Sequence, residues 1–434
     1  MIARFVENKN RSIHDPIEIL GQDVLGRRDL AQRILERLCE SDAGVLGVYG
    51  GWGTGKSSLL NLLCQLNDEK ASQLGKTDVY IKIIDAWKYE SGDGLLMPLV
   101  VCFKKMAGNT DFPEAWRVIT RRALASTALS VTDALLKKYI GVDRKSIKEN
   151  YEEVEKRDKQ KDDYSLLLEW EDWSDDVENT ELAFKKIVNF VLNKIGCKRI
   201  VICIDNLDRC SPENVVRLLE SVKNFFSAPN CVWIFAMDAE VIASYVNHKY
   251  EGTRMDGNSY LDKIIPEQYH LSFFPDENDP RVYDLIRNAT GSDLTLNDWK
   301  RLPLLPHVMV PRRLKKSAAK FAEYFDGSRT DAERDTVFLL SLLYHTWPDF
   351  YQRLSSASVQ HVGGMLANFF KKHDSESAEM RWGEYSPLPL SKKFAEDQDL
   401  IYFLKTAFPK NAVDASMVDE IRRAMDGLRQ VGLP

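Results

Sequence analysis

The stretch from Val45 to Leu63, VLGVYGGWGTGKSSLLNLL, constrains this chain more than any other. A short apolar run with Val45, Leu46 and Val48 leads into Gly50-Gly51-Trp52-Gly53-Thr54-Gly55-Lys56-Ser57-Ser58, and a leucine-rich helical pattern follows. That is G-x-x-x-x-G-K-S between an expected strand and an expected helix, the setting in which this spacing cradles phosphate. The glycines let successive backbone N–H groups face one anion, and the next helix points its positive end at the same spot. Lys56 offers a point charge to the β- and γ-phosphates, and Ser57 offers Mg²⁺ a hydroxyl ligand. The alternative is a glycine-rich turn that merely joins strand to helix. Eight matching positions with both flanks in place weigh against it, and a nucleoside triphosphate site is expected.

With 434 residues the chain has room for two or three domains with substantial cores. A net charge of −6 argues against a surface that grips nucleic acid throughout, and leaves room for a local basic patch. No uncharged apolar run approaches the roughly 18–20 residues of a membrane span. Ala123 to Thr132 and Val337 to Leu343 are the two candidates, and both are too short. The opening MIARFVENKNRSIHD has no apolar core of the kind a secretion signal needs. The seven cysteines form no C-x-x-C pair, and no two histidines stand at a metal-binding helical spacing. Buried thiols in a reducing compartment are therefore expected, in a cytoplasmic protein without a structural metal.

In chain order, residues 1–20 read as an irregular arm. Asp23 to Asp29 then opens a helix with Leu30, Ile34, Leu35 and Leu38 on one face. Asp78 to Ile84 is rich in β-formers and reads as a buried strand, ending in Asp85-Ala86-Trp87-Lys88-Tyr89-Glu90. Two readings of Asp85 stand: it lines an active-site rim, near Mg²⁺ or the attacking water, or it caps the next helix.

Residues 91–195 read as a helical insert, including the amphipathic run Ala123 to Tyr139. Arg144 to Asp163 mixes seven basic with seven acidic residues, like a solvated arm. Tyr164 to Leu182 carries seven acidic residues, no lysine or arginine, and Trp170 and Trp173. It is either a solvated face or a docking surface.

Lys198 to Asp205 is a continuous apolar strand ending in an acid, as a fully buried parallel strand would read. Such an acid beside a phosphate loop is the usual partner of Mg²⁺. Asn206-Leu207-Asp208-Arg209 follows at once, and Val232 to Asp238 repeats the arrangement. Three strands ending in Asp85, Asp205 and Asp238 place the expected site at the C-terminal edge of a parallel sheet. From Asp276 the pattern turns helical. Leu302 to Pro306 reads as a connector, and Pro311 sits in the first turn of a helix carrying Arg312 and Arg313. These arginines either reach the γ-phosphate of their own or a neighbouring copy's nucleotide, or form a basic surface face. Residues 331–434 show amphipathic helices, no catalytic motif and no internal repeat.

GGWGTGKSS, the Asp85-to-Glu90 segment, IDNLDRC, the strand ending in Asp238, YLDKII (Tyr260 to Ile265) and PRRLKK together resemble the KAP family of P-loop NTPases. The match runs over roughly residues 20 to 325, and its most specific parts are Asp208-Arg209-Cys210 and the tryptophan segment. The resemblance implies a three-layer αβα core with a parallel sheet at 21–90 and 196–275. A helical insert at 91–195 and a helical domain at 276–434 complete it. It implies ATP and Mg²⁺ as ligands, phosphate at Gly50 to Ser58, Mg²⁺ at Ser57 and Asp205, and Asp208 in the catalytic acidic cluster. By analogy with relatives of the wider class, the Leu25-Gly26-Arg27 segment either cradles adenine, with Arg27 among the binding residues, or only opens an ordinary amphipathic helix.

The reaction so implied is ATP hydrolysis. Asp205 organises the metal, Asp208 positions water with help from Asp85 or Asn206, and Asp238 senses the γ-phosphate. Arg312 or Arg313 neutralises transition-state charge, across a subunit boundary if the protein is a homo-oligomer. Three departures matter. The family usually has D-D-L-D-R where this chain has Asp205-Asn206-Leu207-Asp208-Arg209, and an amide cannot accept a proton, so slow turnover is expected. The tryptophan segment often begins with Asn where this chain has Asp85, which restores a carboxylate. Many relatives also carry membrane helices between the two nucleotide motifs; here that region is polar. The expectation is a bacterial member acting as a regulatory component of phage defence. A nucleotide-gated scaffold that recruits an effector protein, and a nucleic-acid-stimulated ATPase, are the alternatives; the acidic balance disfavours the last.

Overall fold

A computed structural model of the protein describes residues 23–40, 44–75, 77–90, 96–108, 115, 119, 165–224, 226–276, 279–290, 296–325, 333–370, 385–409 and 413–434. The N-terminal arm, the run Ala123 to Tyr139 and the mixed-charge run Arg144 to Asp163 lie outside them, as do the side chains of Trp170 and Trp173. The chain divides into two compact units that part between Leu271 and Ser272.

The first unit is built on a five-stranded, all-parallel sheet. Its strands are β1 (Val45–Tyr49), β2 (Val79–Asp85), β3 (Arg199–Asp205), β4 (Cys231–Met237) and β5 (Glu267–His270), in the order β2-β3-β4-β1-β5. The residues of β3 and β4 are buried throughout. A strand covered on both faces has no polar side, so it reads as an unbroken apolar run. The period of two still sorts its side chains. Val201, Cys203, Val232, Ile234 and Ala236 pack with α1 (Arg27–Glu40) and α2 (Lys56–Leu74), through Ile34, Leu38, Leu59 and Leu63 among others.

Their alternates, Ile200, Ile202, Ile204, Trp233 and Phe235, face the opposite helical layer. That layer holds α3 (Leu96–Ala107), α4 (Ser165–Ile195), α5 (Pro212–Asn224), α6 (Ala239–Lys249) and α7 (Gly257–Ile264). This is the expected three-layer αβα core. Both described ends of the 91–195 stretch belong to the layer itself: Leu99 and Phe103 of α3, and Phe184, Ile187 and Val191 of α4, share its core. Phe184 meets Phe103 and Phe226 edge-on at 5.4 and 5.1 Å, and Trp233 Nε1 donates to the Phe226 carbonyl at 2.9 Å. That bond satisfies the one polar atom of a buried indole.

The second unit is helical: α8 (Pro280–Thr290), α9 (Pro311–Tyr324), α10 (Arg334–Thr346), α11 (Pro348–Ser356), α12 (Val359–Ala367), α13 (Lys392–Ala395), α14 (Gln398–Ala407) and α15 (Ala415–Gln430). Val337 to Leu343 lies on α10, where every residue of the run is buried. A helix apolar on all sides is an interior helix. The run is therefore the centre of a bundle, and among the described residues no helix is long and apolar enough to cross a membrane.

Candidate functional site

β1 and β3 are not neighbours; β4 lies between them. At a strand spacing of about 4.8 Å their ends stand roughly 10 Å apart, a gap the loop after β1 must bridge. Gly53 and Gly55 adopt φ of 90° and 103°, a region that side chains disfavour, and Gly55 turns the chain directly into α2. Lys56 folds back over this loop. Its Nζ donates to the carbonyls of Gly50 at 2.7 Å and Gly51 at 3.2 Å, and the residue is only 7% exposed. Thr54 Oγ1 closes the turn by donating to Gly51 at 2.9 Å. Ser57 and Ser58 occupy the first turn of α2.

Ser57 bridges the gap. Its hydroxyl donates to Asp205 Oδ2 at 2.5 Å, joining the helix after β1 to the end of β3. Asp205 Oδ1 accepts the Asn206 backbone N–H at 2.9 Å, and the residue is 6% exposed. Burial raises the Asp205 carboxyl above the ordinary range, against the pull of the Ser57 and Asn206 hydrogen bonds and the Lys56 charge. Burial likewise lowers the Lys56 ammonium, opposed by the charges of Asp208, Asp238 and Asp205. The Asp208 carboxylate stands 3.9 Å from Lys56 Nζ, on a short 3₁₀ turn, Leu207–Arg209.

Asp85 pairs in register with Asp205 across β2 and β3. It makes no side-chain capping bond to the 3₁₀ turn Ala86–Tyr89 that it precedes. Its Oδ1 instead accepts the Asn206 side-chain amide at 2.9 Å, and Oδ2 lies 3.6 Å from Lys88 Nζ. Asn206 itself sits at φ 61°, a conformation that Asn tolerates better than most side chains. Asp238 does cap a helix: Oδ1 accepts the Glu240 N–H at 3.2 Å at the start of α6. Its other oxygen stands 3.8 Å from where a side chain on Gly51 would begin. Three carboxylates, Asp205, Asp208 and Asp238, thus act on one buried ammonium at the C-terminal edge of the sheet, and Asp85 stands beside them on Asn206.

Arg27 is the first residue of α1, after a turn in which Gly26 has φ 66°, and α1 packs on α2. Arg312 and Arg313 lie in the other compact unit, in the first turn of α9, where the Arg313 guanidinium donates to the His307 carbonyl. Sequence reasoning passed over two residues at the sheet edge. Glu90 Oε1 accepts the Ser211 N–H at 2.8 Å beside the start of α5, tying the turn after β2 to the helix after β3. Arg209 lies over the rings of Trp87 and Trp52. The only signal for these contacts was membership of the two most specific motif segments.

Among curated proteins, the chain is 22% identical over 408 residues to the phage T7 exclusion protein of Escherichia coli K12, covering 85% of this chain and 50% of that one. It is 29% identical over 130 residues to the kinase D-interacting substrate of 220 kDa from Rattus norvegicus, covering 28% of this chain and 7% of that one. The chain thus spans half or less of the length of these relatives. Among solved structures, the Aeropyrum pernix ORC2 protein in ADPNP–ADP complexes aligns over 98% of both chains at 11% identity, with a TM-score of 0.37, too loose to bear on function. The KAP family P-loop domain matches residues 27–279, from the start of α1 past the end of the sheet. With more than half of its length in that match, and a phosphate loop tied to the acid of β3 at its centre, this chain belongs to the KAP family of P-loop domains.

Proposed function

We propose that this protein is a Mg²⁺-dependent ATPase that serves as a regulatory component of bacterial phage exclusion. The observation that carries the chemistry is the 2.5 Å contact between Ser57 and Asp205 beside the folded-back Lys56. A hydroxyl and a carboxylate meeting next to a phosphate cradle fit a hard cation that takes one or two protein oxygens and completes its shell with phosphate and water. When bound, Mg²⁺ would neutralise charge on the β- and γ-phosphate oxygens.

The protein's own groups do the rest. Backbone N–H groups of Gly51 to Ser57 hold the phosphates, and Lys56 exchanges its loop carbonyls for phosphate oxygens. Asp208, next to Lys56, positions the attacking water, and Asp85 supplies a second carboxylate through its bond to Asn206. Asp238 reads the γ-phosphate from beside Gly51. Arg27 is proposed at the adenine, and Arg312 or Arg313 as a charge delivered by the helical unit in a homo-oligomer. The phage context rests on the likeness to the T7 exclusion protein.

One observation favours a second reading. The Asn206 amide is committed to Asp85, so the position after the metal acid offers no base of its own. Slow hydrolysis would suit a scaffold that binds ATP to recruit an effector. Calorimetric titration of ATP, turnover assays and plaque counts, each on wild type and Lys56→Ala, test the proposal. Loss of binding, turnover and protection together is expected. Full binding and turnover in Lys56→Ala would overturn the assignment, and a large rate gain in Asn206→Asp would favour the scaffold.

A further inference from the structure

Arg209 stands where three loop ends meet at the edge of the sheet. Its own 3₁₀ turn leaves β3, Trp87 lies on the turn that leaves β2, and Trp52 lies within the phosphate loop that leaves β1. The guanidinium carbon is 4.8 Å from the Trp87 ring centroid and 5.8 Å from that of Trp52. Both indoles are exposed, at 53% and 65%. Large rings left in water on two separate loops are unusual, and these two share one cation. Among the described residues the Arg209 guanidinium has no carboxylate partner, although Asp208 precedes it and Asp85 and Asp238 occupy the same edge. Asp208 is turned to Lys56 instead.

An exposed cation over a ring face is weakly held. A guanidinium on phosphate oxygens makes charge-assisted, often paired hydrogen bonds, which are much stronger. Arg209 lies close enough to the Lys56 ammonium for its charge to act on it, as the weakest of the influences there, and on the nucleotide reading Lys56 meets the phosphates. We infer that Arg209 is the site's own γ-phosphate arginine, parked on Trp52 and Trp87 until a triphosphate draws it off the rings. This rests on the nucleotide reading above and adds to it a means, within one chain, of telling a triphosphate from a diphosphate. Arg209 touches the terminal phosphate, while the two tryptophans position Arg209.

The experiment measures binding of ADP and of a non-hydrolysable ATP analogue, both with Mg²⁺, to the full chain and its variants. Arg209→Ala, at an exposed position, should unfold at the wild-type temperature. It should hold ADP within about twofold of wild type, bind the analogue roughly ten- to a hundredfold more weakly, and turn ATP over at least about a hundredfold more slowly. Arg209→Lys should recover part of each loss. In Trp87→Phe, tryptophan emission should change on adding the analogue and not on adding ADP, and the further change Trp52→Phe or Arg209→Ala should each abolish that response. Equal losses for ADP and analogue, or undiminished preference for the analogue, would overturn the inference. Lys56→Ala separates the two levels: if it binds both nucleotides normally, the nucleotide site is wrong; if it binds neither, the Arg209 result is decisive by itself.

Discussion

The side-chain amide of Asn206 donates to the carboxylate of Asp85 across 2.9 Å, joining the ends of two strands 121 residues apart in sequence. One amide and one carboxylate make a good hydrogen bond. Two carboxylates at that distance would repel and force a proton to be shared, and two amides would leave no base.

The exchanged pair should therefore work better than Asp85→Asn alone. Asp85→Asn should lower turnover about a hundredfold with ATP affinity little altered, the scale of losing an acid–base group. Adding Asn206→Asp should recover the rate to within about tenfold of wild type, since Asp also tolerates the positive φ at that position. Steady-state kinetics on the three proteins decides this; an exchanged protein no faster than Asp85→Asn removes Asp85 from the mechanism.

A second expectation concerns pH. Burial raises the folded-state pKa of Asp205 above its ordinary value of 3.8. Between those two values the folded chain keeps a proton that the unfolded chain has released, so this group makes stability fall as pH rises through the window. Asp205→Asn should remove that component while abolishing Mg²⁺-supported turnover. Urea unfolding of both proteins in small pH steps from about 3.8 upward tests the sign. Parallel stability curves would show that Asp205 is not strained by burial.

The layer opposite α1 and α2 depends on Phe184, which is 2% exposed among Phe103, Phe226 and Trp233. Truncating it to Ala should cost about 3–5 kcal/mol, the range for removing a buried aromatic. Nucleotide affinity of the folded fraction should not change, because the cluster lies beneath the sheet and away from its loop edge. A variant of wild-type stability would mean that α4 packs differently.

Thiol chemistry offers a fourth test. Burial pushes the thiols of Cys64 and Cys210 up to about 12 and that of Cys102 to about 11, while Cys203 and Cys231 are buried. Cys39 is exposed. Only the thiolate reacts, so iodoacetamide near neutral pH should modify Cys39 first, the half-buried Cys197, whose thiol burial also raises, more slowly, and the other five thiols only on unfolding. Peptide mapping at early times would expose an error if Cys210 were modified as fast as Cys39, since the turn carrying Arg209 would then be open.

The sequence by itself determined the parts whose cause is local. The phosphate loop is eight consecutive residues whose spacing already dictates its curl. β3 and β4 announced themselves as unbroken apolar runs because both of their faces are covered. Each of the three acids stands at the end of its own strand, so the edge they share was legible as well. Only the tertiary structure decided what depends on strand order and on meetings between distant segments.

β5 is a four-residue polar edge strand, defined by its bonds to β1 and by no pattern of its own. Nothing local places β4 between β1 and β3, yet that order sets the gap closed by Ser57 and Asp205, 148 residues apart. Asp85 makes no capping bond and instead takes the amide of Asn206, a partner no local pattern names. Asp238, expected at the γ-phosphate, caps α6. Trp52, Trp87 and Arg209 each belonged to a recognisable segment, but a cation between two rings exists only once three loops converge. Periodicity records which face of an element is buried; it carries no record of which element lies beside it.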